Sequence, residues 1–214
     1  MKKKKYMEII KHYESCLEKY GDSHLGVDWP KIEDVDKRYK VLLSIINPIP
    51  EKKITLLDFG CGASHLYEYI LKHKMNYIEY FGLDISEKFI ELSKKKFPDI
   101  EYFLTDILED NSSIPNFDYI IMAGIFTEKV TLSYEEMLKY FKTLLKIVFN
   151  KAKIGIAFNV MSKHVDWERD DLFHLPFDTL ANFMKKELSR HFIIRNDYGL
   201  FEYTVYLYKT ERLK

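Results

Sequence analysis

The chain has 214 residues, a length that usually folds as one domain around a single substantial core. Its 33 basic and 33 acidic side chains cancel, which leaves no whole-molecule field to concentrate nucleic acid or an anionic membrane surface, so neither is expected as a partner. No apolar run reaches the ~20 residues that span a bilayer, and the N-terminus lacks the pattern of a secretory leader; a cytoplasmic protein is expected.

The first element is a helix in which Tyr6, Ile9, Ile10, Tyr13, Cys16, Leu17 and Tyr20 recur at helical spacing until Gly21. The lysines ahead of it, Lys2 to Lys5, read as a solvated terminal run without function. A polar stretch tipped by aromatics, "GDSHLGVDWP", leads to a second helix with Ile32, Val35, Tyr39, Leu42, Leu43 and Ile46 on one face, Pro30 in its first turn and Pro48 past its end. Residues 1–47 therefore read as a helical cap, closing an acceptor pocket and contributing little to the fold that follows; the alternative is that the two helices cover a sheet face.

From residue 53 the pattern changes. Short apolar, β-rich runs, "KITLLDFG", "YIEYFGLDI", "IEYFLTDI", "FDYIIMAG" and "IGIAFNV", alternate with helical ones, which predicts five buried parallel strands joined by crossovers. Between the last two lies a helix opened by a capping box, Ser133 with Glu136, and carrying Met137, Tyr140, Phe141, Leu144, Leu145 and Val148 on one face. "HFIIR" and "FEYTVYLYK" are separated by only a short linker, so they are expected to pair antiparallel. The fold class predicted is α/β, Rossmann-like, with a mostly parallel seven-stranded sheet that ends in an antiparallel hairpin; residues 53–214 form this core within one domain.

The turn after the first strand, "LLDFGCG", places Gly60 and Gly62 where backbone must approach a ligand. A dinucleotide site needs a third glycine to bring the next helix under a pyrophosphate, and that position is His65. Asp58 adds negative charge, which suits a cation better than a phosphate. Cys61 sits inside the same turn, where a disulfide would distort the loop, and with Cys16 as the only other cysteine a reducing compartment is implied.

"LLDFGCG" resembles the first motif of class I S-adenosylmethionine-dependent methyltransferases, and the later motifs follow in order. Asp84 closes "FGLDIS" about 20 residues on, where a carboxylate can take both ribose hydroxyls. The resemblance implies adenine contacts at Asp106 and Ile107, and the methionine part of the cofactor at Ala123 and Gly124. It completes the cofactor-binding set with Trp29, Cys61 and Ile85. Taken singly, Asp84 and Asp106 also read as strand-end caps, and Trp29 as a packing anchor or as a lid whose ring faces the sulfonium. Ser64 stands where many members of the family have a further glycine.

Instead of the Pro-Pro-aromatic motif of nucleobase amine methyltransferases, "AGIFTEK" follows the fourth strand, which again argues against nucleic acid. "EKYGDSHLGVDWP", "KRY", "RDDLFH" and "DYGLFEYTVYLYK" resemble small methyltransferases of capsule and other surface-polysaccharide pathways. That likeness implies O-methylation of a small metabolite: a sugar, a nucleotide-linked sugar or a phosphoramidate-type precursor.

A general base is needed only for a neutral hydroxyl, and His24 and His174 are its candidates because both fall in polar loop segments. His12, His73 and His191 read as surface or packing residues. Arg38 and Arg169 are candidates for an anionic acceptor group, and Tyr198 completes the expected acceptor-binding set. Asp170 and Asp171 lack clustered His or Cys, so no metal is expected. A nicotinamide dehydrogenase and a non-catalytic cofactor-binding or partner-binding protein are the remaining alternatives.

Overall fold

Alternate residues along the central strands serve opposite sides of one sheet. Leu57 and Ile120 join one apolar cluster while their neighbours Leu56 and Ile121 join another, so the sheet carries a core on each face. The computed structural model describes residues 4–48 and 51–212. Its strands are β1 (Ile54–Phe59), β2 (Ile78–Asp84), β3 (Tyr102–Leu104), β4 (Phe117–Phe126), β5 (Ala152–Met161), β6 (Phe192–Arg195) and β7 (Glu202–Tyr208). They form one seven-stranded sheet in the order β3-β2-β1-β4-β5-β7-β6. The first five are parallel; β7 runs antiparallel between β5 and β6, as the short linker requires.

The helices are α1 (Met7–Tyr20), α2 (Ile32–Leu43), α3 (His65–Lys72), α4 (Glu87–Lys96), α5 (Tyr134–Lys151) and α6 (Phe177–Glu187). α5 begins at the expected capping box, in which Ser133 Oγ accepts from the Glu136 N–H and the Glu136 carboxylate accepts from the Ser133 N–H. Strand order reverses between β1 and β4, and there the carboxyl ends of the strands open a crevice.

The two N-terminal helices behave differently. α1 buries only Ile9 fully and lies across the strand ends, whereas α2 buries Tyr39, Val41, Leu42 and Leu43 in the core shared with α3 and the sheet. The expectation that the whole of residues 1–47 contributes little to the sheet is thus corrected for α2, which is a layer helix: its apolar face has nowhere else to go. Its first residue is Ile32, so Pro30 precedes the helix. The lysine run is corrected as well. Lys2 and Lys3 lie outside the described residues, but Lys4 Nζ reaches Asp106 Oδ2 at 3.1 Å and Glu109 Oε1 at 2.9 Å, and Lys5 pairs with Glu136.

Candidate active site

The crevice holds a cavity of about 120 Å³ walled by the strand ends and roofed by Tyr6, which caps α1, and by Ile9, Ile10 and Tyr13 of the helix. Gly60 (φ 73°) and Gly62 (φ 51°) both take the left-handed conformation, and a Cβ on Gly60 would stand 2.0 Å from Ile125 Cδ1. Two residues past Gly62 the same conformation recurs without glycine: Ser64 has φ 59°. Its hydroxyl, fully buried, donates to Ser93 Oγ at 2.8 Å, and Ser93 in turn donates to the Gly62 carbonyl at 2.8 Å, so a side-chain relay pins the turn. Ser64 also lies 2.9 Å from the Tyr102 hydroxyl. His65 is tied to Asp22 at 2.7 Å.

Asp84 ends β2 with one carboxylate oxygen accepting from the Gly62 N–H and the other from the Ser86 N–H, both at 2.9 Å. The strand-end role and the site role therefore coexist, since each oxygen keeps a second lone pair for a ligand hydroxyl. Asp106 caps its own loop through the Leu108 N–H and also accepts from the Tyr6 hydroxyl at 2.6 Å. Asp58 is buried and accepts from Tyr80; burial, opposed by that bond and reinforced by Asp84, pushes its carboxyl up to about 7. Cys61, Ile85, Ile107, Ala123 and Gly124 complete the wall.

Among the described residues no lysine or arginine lines this cavity, while Asp58, Asp84 and Asp106 do, the last paired with Lys4. Such a lining repels a pyrophosphate and suits a ligand carrying positive charge, such as the sulfonium and ammonium of S-adenosylmethionine. The acidic, glycine-edged crevice fits that cofactor.

A second cavity of about 340 Å³ lies beyond Trp29, which lines both. Trp29 is buried against Tyr39 (ring centroids 5.2 Å apart), and its indole edge lies 3.3 Å from where a Gly124 Cβ would be. The second cavity collects residues far apart in sequence: Arg38 of α2, Glu128 after β4, Arg169 and His174 of the loop after β5, and Glu202 of β7.

The candidate bases are not free in the same way. His24 lines neither cavity; its Nδ1 meets the Trp29 carbonyl at 2.6 Å, so it holds the loop that positions Trp29. His174 does line the second cavity, but it is buried with Nδ1 against the Ser162 carbonyl (2.6 Å) and Nε2 accepting from the Arg169 N–H (3.3 Å). Arg38 spends its Nε on both oxygens of Glu202, at 3.0 and 2.9 Å, and Arg169 pairs with Asp171. Tyr198 turns to Thr204 at 2.9 Å and lines neither cavity; the adjoining Gly199 to Glu202 segment does.

Glu128 was not singled out by sequence reasoning. Its backbone bridges to Leu172, and its carboxylate has no hydrogen-bonding side chain among the described residues. Burial first, and then the charges of Asp28 and Asp171, push its carboxyl up to about 8, with Arg169 opposing. The signal in the sequence was weak, one acid in "AGIFTEK" just past the fourth strand.

Comparison with known proteins gives a methyltransferase likeness. A family model described as a methyltransferase domain matches residues 57–147, which begin in β1 and run into α5. A Mycobacterium tuberculosis protein named as a methyltransferase is 24% identical over 154 residues, 71% of this chain and 91% of the relative. The magnesium protoporphyrin IX methyltransferase of Synechocystis PCC 6803 with bound S-adenosylmethionine superposes with a TM-score of 0.64 at 13% identity, covering 98% of this chain and 99% of that one. Human N-acetylserotonin methyltransferase gives 0.59 at 13% identity, over 95% of this chain and 68% of that one. At such identities the structural likeness is one of fold.

Proposed function

We propose that this S-adenosylmethionine-dependent methyltransferase methylates a hydroxyl oxygen of a small, neutral, polyhydroxylated acceptor, with Glu128 as the general base. The observation that carries the reading is Glu128, 9% exposed and with no side-chain hydrogen bond among the described residues, at the wall of a cavity that shares Trp29 with the cofactor side. Bound cofactor supplies an electrophilic methyl group on a cationic sulfur. The chain's own residues must hold the acceptor oxygen in line, exclude water and take the proton. Trp29 and α1 exclude water, and Glu128 takes the proton.

Charge supports a neutral acceptor over an anionic one. Arg38 and Arg169 already have carboxylate partners, and against Lys31 the cavity adds Asp28, Asp34 and Asp166. A phosphate or phosphoramidate entering there meets net negative charge, whereas sugar hydroxyls meet acceptors. At the mouth, Trp167 (69% exposed) and Phe201 (60% exposed) stand 6.4 Å apart, offering apolar ring faces to the C–H face of a sugar. Together with the segments that resemble surface-polysaccharide methyltransferases, this makes a sugar destined for such a polymer the preferred acceptor. Free thiols at Cys16 and Cys61 suit a cytoplasmic setting.

The test is transfer of labelled methyl to a panel of free sugars, nucleotide-linked sugars and phosphoramidates. Turnover confined to neutral hydroxylated acceptors and dependent on Glu128 is expected; turnover only on anionic oxygens would remove the need for a base and sink the reading.

A further inference from the structure

Three side chains that neither line the cofactor cavity nor take the proton meet where α1 faces the loop leading to Trp29. His12 and Cys16 stand one helical turn apart on α1, and Asp28, left-handed at φ 57° after the Leu25–Val27 turn, folds back onto them. His12 Nε2 lies 2.6 Å from Asp28 Oδ2 and 3.9 Å from Cys16 Sγ, and the donor atoms of all three fall within 4.8 Å of one another. We propose that His12, Cys16 and Asp28 bind a zinc-class divalent ion whose fourth position opens toward the acceptor cavity.

The donor set selects the ion. One imidazole nitrogen, one thiolate and one carboxylate suit zinc and its neighbours, whereas calcium and magnesium take oxygen donors and would leave the thiolate unused. A thiolate and a carboxylate together offset a double positive charge. Asp28 has its ion pair with His12 alone among the described residues, so no lysine or arginine competes with a dication for its carboxylate. Access is adequate: the His12 and Asp28 side chains are 33% and 36% exposed. Asp28 lines the second cavity, and three protein ligands leave one tetrahedral position for water or an acceptor oxygen. A bound ion would also clamp α1 to the loop that carries Trp29. The rival account is a plain His12–Asp28 ion pair with a bystander thiol.

Zinc affinity distinguishes the two, measured on chelator-stripped full-length protein by competition with a chromophoric chelator. Cobalt absorption, where a thiolate-to-metal charge-transfer band reports Cys16, gives a second readout. One equivalent is expected, with the cobalt band lost in Cys16→Ser and zinc affinity reduced roughly 100-fold or more in both Cys16→Ser and Asp28→Asn. Both variants should bind S-adenosylhomocysteine like the parent, which shows that they fold and keeps the result separate from methyl transfer. Zinc bound below one equivalent, or equally by parent and variants, overturns the site.

Discussion

Glu128 illustrates how a carboxylate acquires basicity from what surrounds it. Held near 8 by burial and by neighbouring acids, it accepts a proton well where an exposed glutamate would not. Glu128→Gln should lower turnover roughly 100-fold or more while leaving S-adenosylhomocysteine affinity unchanged in calorimetry. In metal-free buffer the parent's kcat/KM should rise with pH and level off above about 8, because the base works only when deprotonated; a flat profile excludes it. Asp84→Ala should weaken S-adenosylhomocysteine binding by about 1.5–3 kcal/mol, the scale of hydrogen bonds to a charged acceptor, and unchanged affinity would detach that residue from the cofactor. Asp84 was legible in the sequence because its role depends on a strand end and a glycine turn close by. Glu128 was not, because its partners Asp28, Arg169 and Asp171 come from segments that only the tertiary fold brings together. Ser64 lies between these cases: its position was visible, but its left-handed backbone and inward hydroxyl depend on Ser93 and Tyr102, distant in the chain.

At the scale of elements, alternation of β-rich and helical runs was enough to set the parallel strands, and a linker too short for a crossover was enough to make β7 antiparallel. What periodicity could not say was which amphipathic helix meets the sheet, because α1 and α2 carry the same kind of apolar stripe. Leu42 of α2 is fully buried, so Leu42→Ala should cost about 2–5 kcal/mol, seen as an earlier thermal transition with S-adenosylhomocysteine affinity kept below it. A selective loss of binding without loss of stability would instead make α2 part of the site. α1 is held mainly by polar contacts, Tyr6 to Asp106, Tyr13 to the Gly124 carbonyl and Glu14 to Ser86. α1 roofs the cavity beneath it, which places this helix to act as the lid over the cofactor crevice. Hydrogen exchange should therefore be faster in α1 than in α5 in the free protein, and should slow in α1 on adding S-adenosylhomocysteine. Equal protection in both states would make α1 a fixed wall.

Across the whole molecule, net charge is zero, yet acids are concentrated inside the crevice, and this makes stability depend on pH in a direction set by burial. Asp58 is raised to about 7 and Glu128 to about 8, both far above their unfolded values. For a carboxyl raised in this way the folded state holds the proton more tightly, so its contribution is present at low pH and lost as pH climbs through the folded value. Carboxyls with lowered values, such as Asp22 and Asp171, finish titrating below the ordinary carboxylate range and add no slope near neutrality. The thermal midpoint of the free, metal-free protein should thus fall between about pH 5.5 and about pH 8.5; within that window the upper bound from Asp58 alone is about 2 kcal/mol, from roughly 1.5 pH units at ~1.4 kcal/mol each. Asp58→Asn and Glu128→Gln should each flatten that slope and raise the midpoint at the alkaline end. Cofactor binding runs the other way: an ammonium beside Asp58 favours its ionised form, so the stabilisation given by S-adenosylhomocysteine should grow as pH rises through about 7. In Asp58→Asn this growth should vanish. A parent midpoint that holds level or rises with pH would show Asp58 and Glu128 to be ionised throughout, and their charges would then have to be balanced by partners other than those seen here.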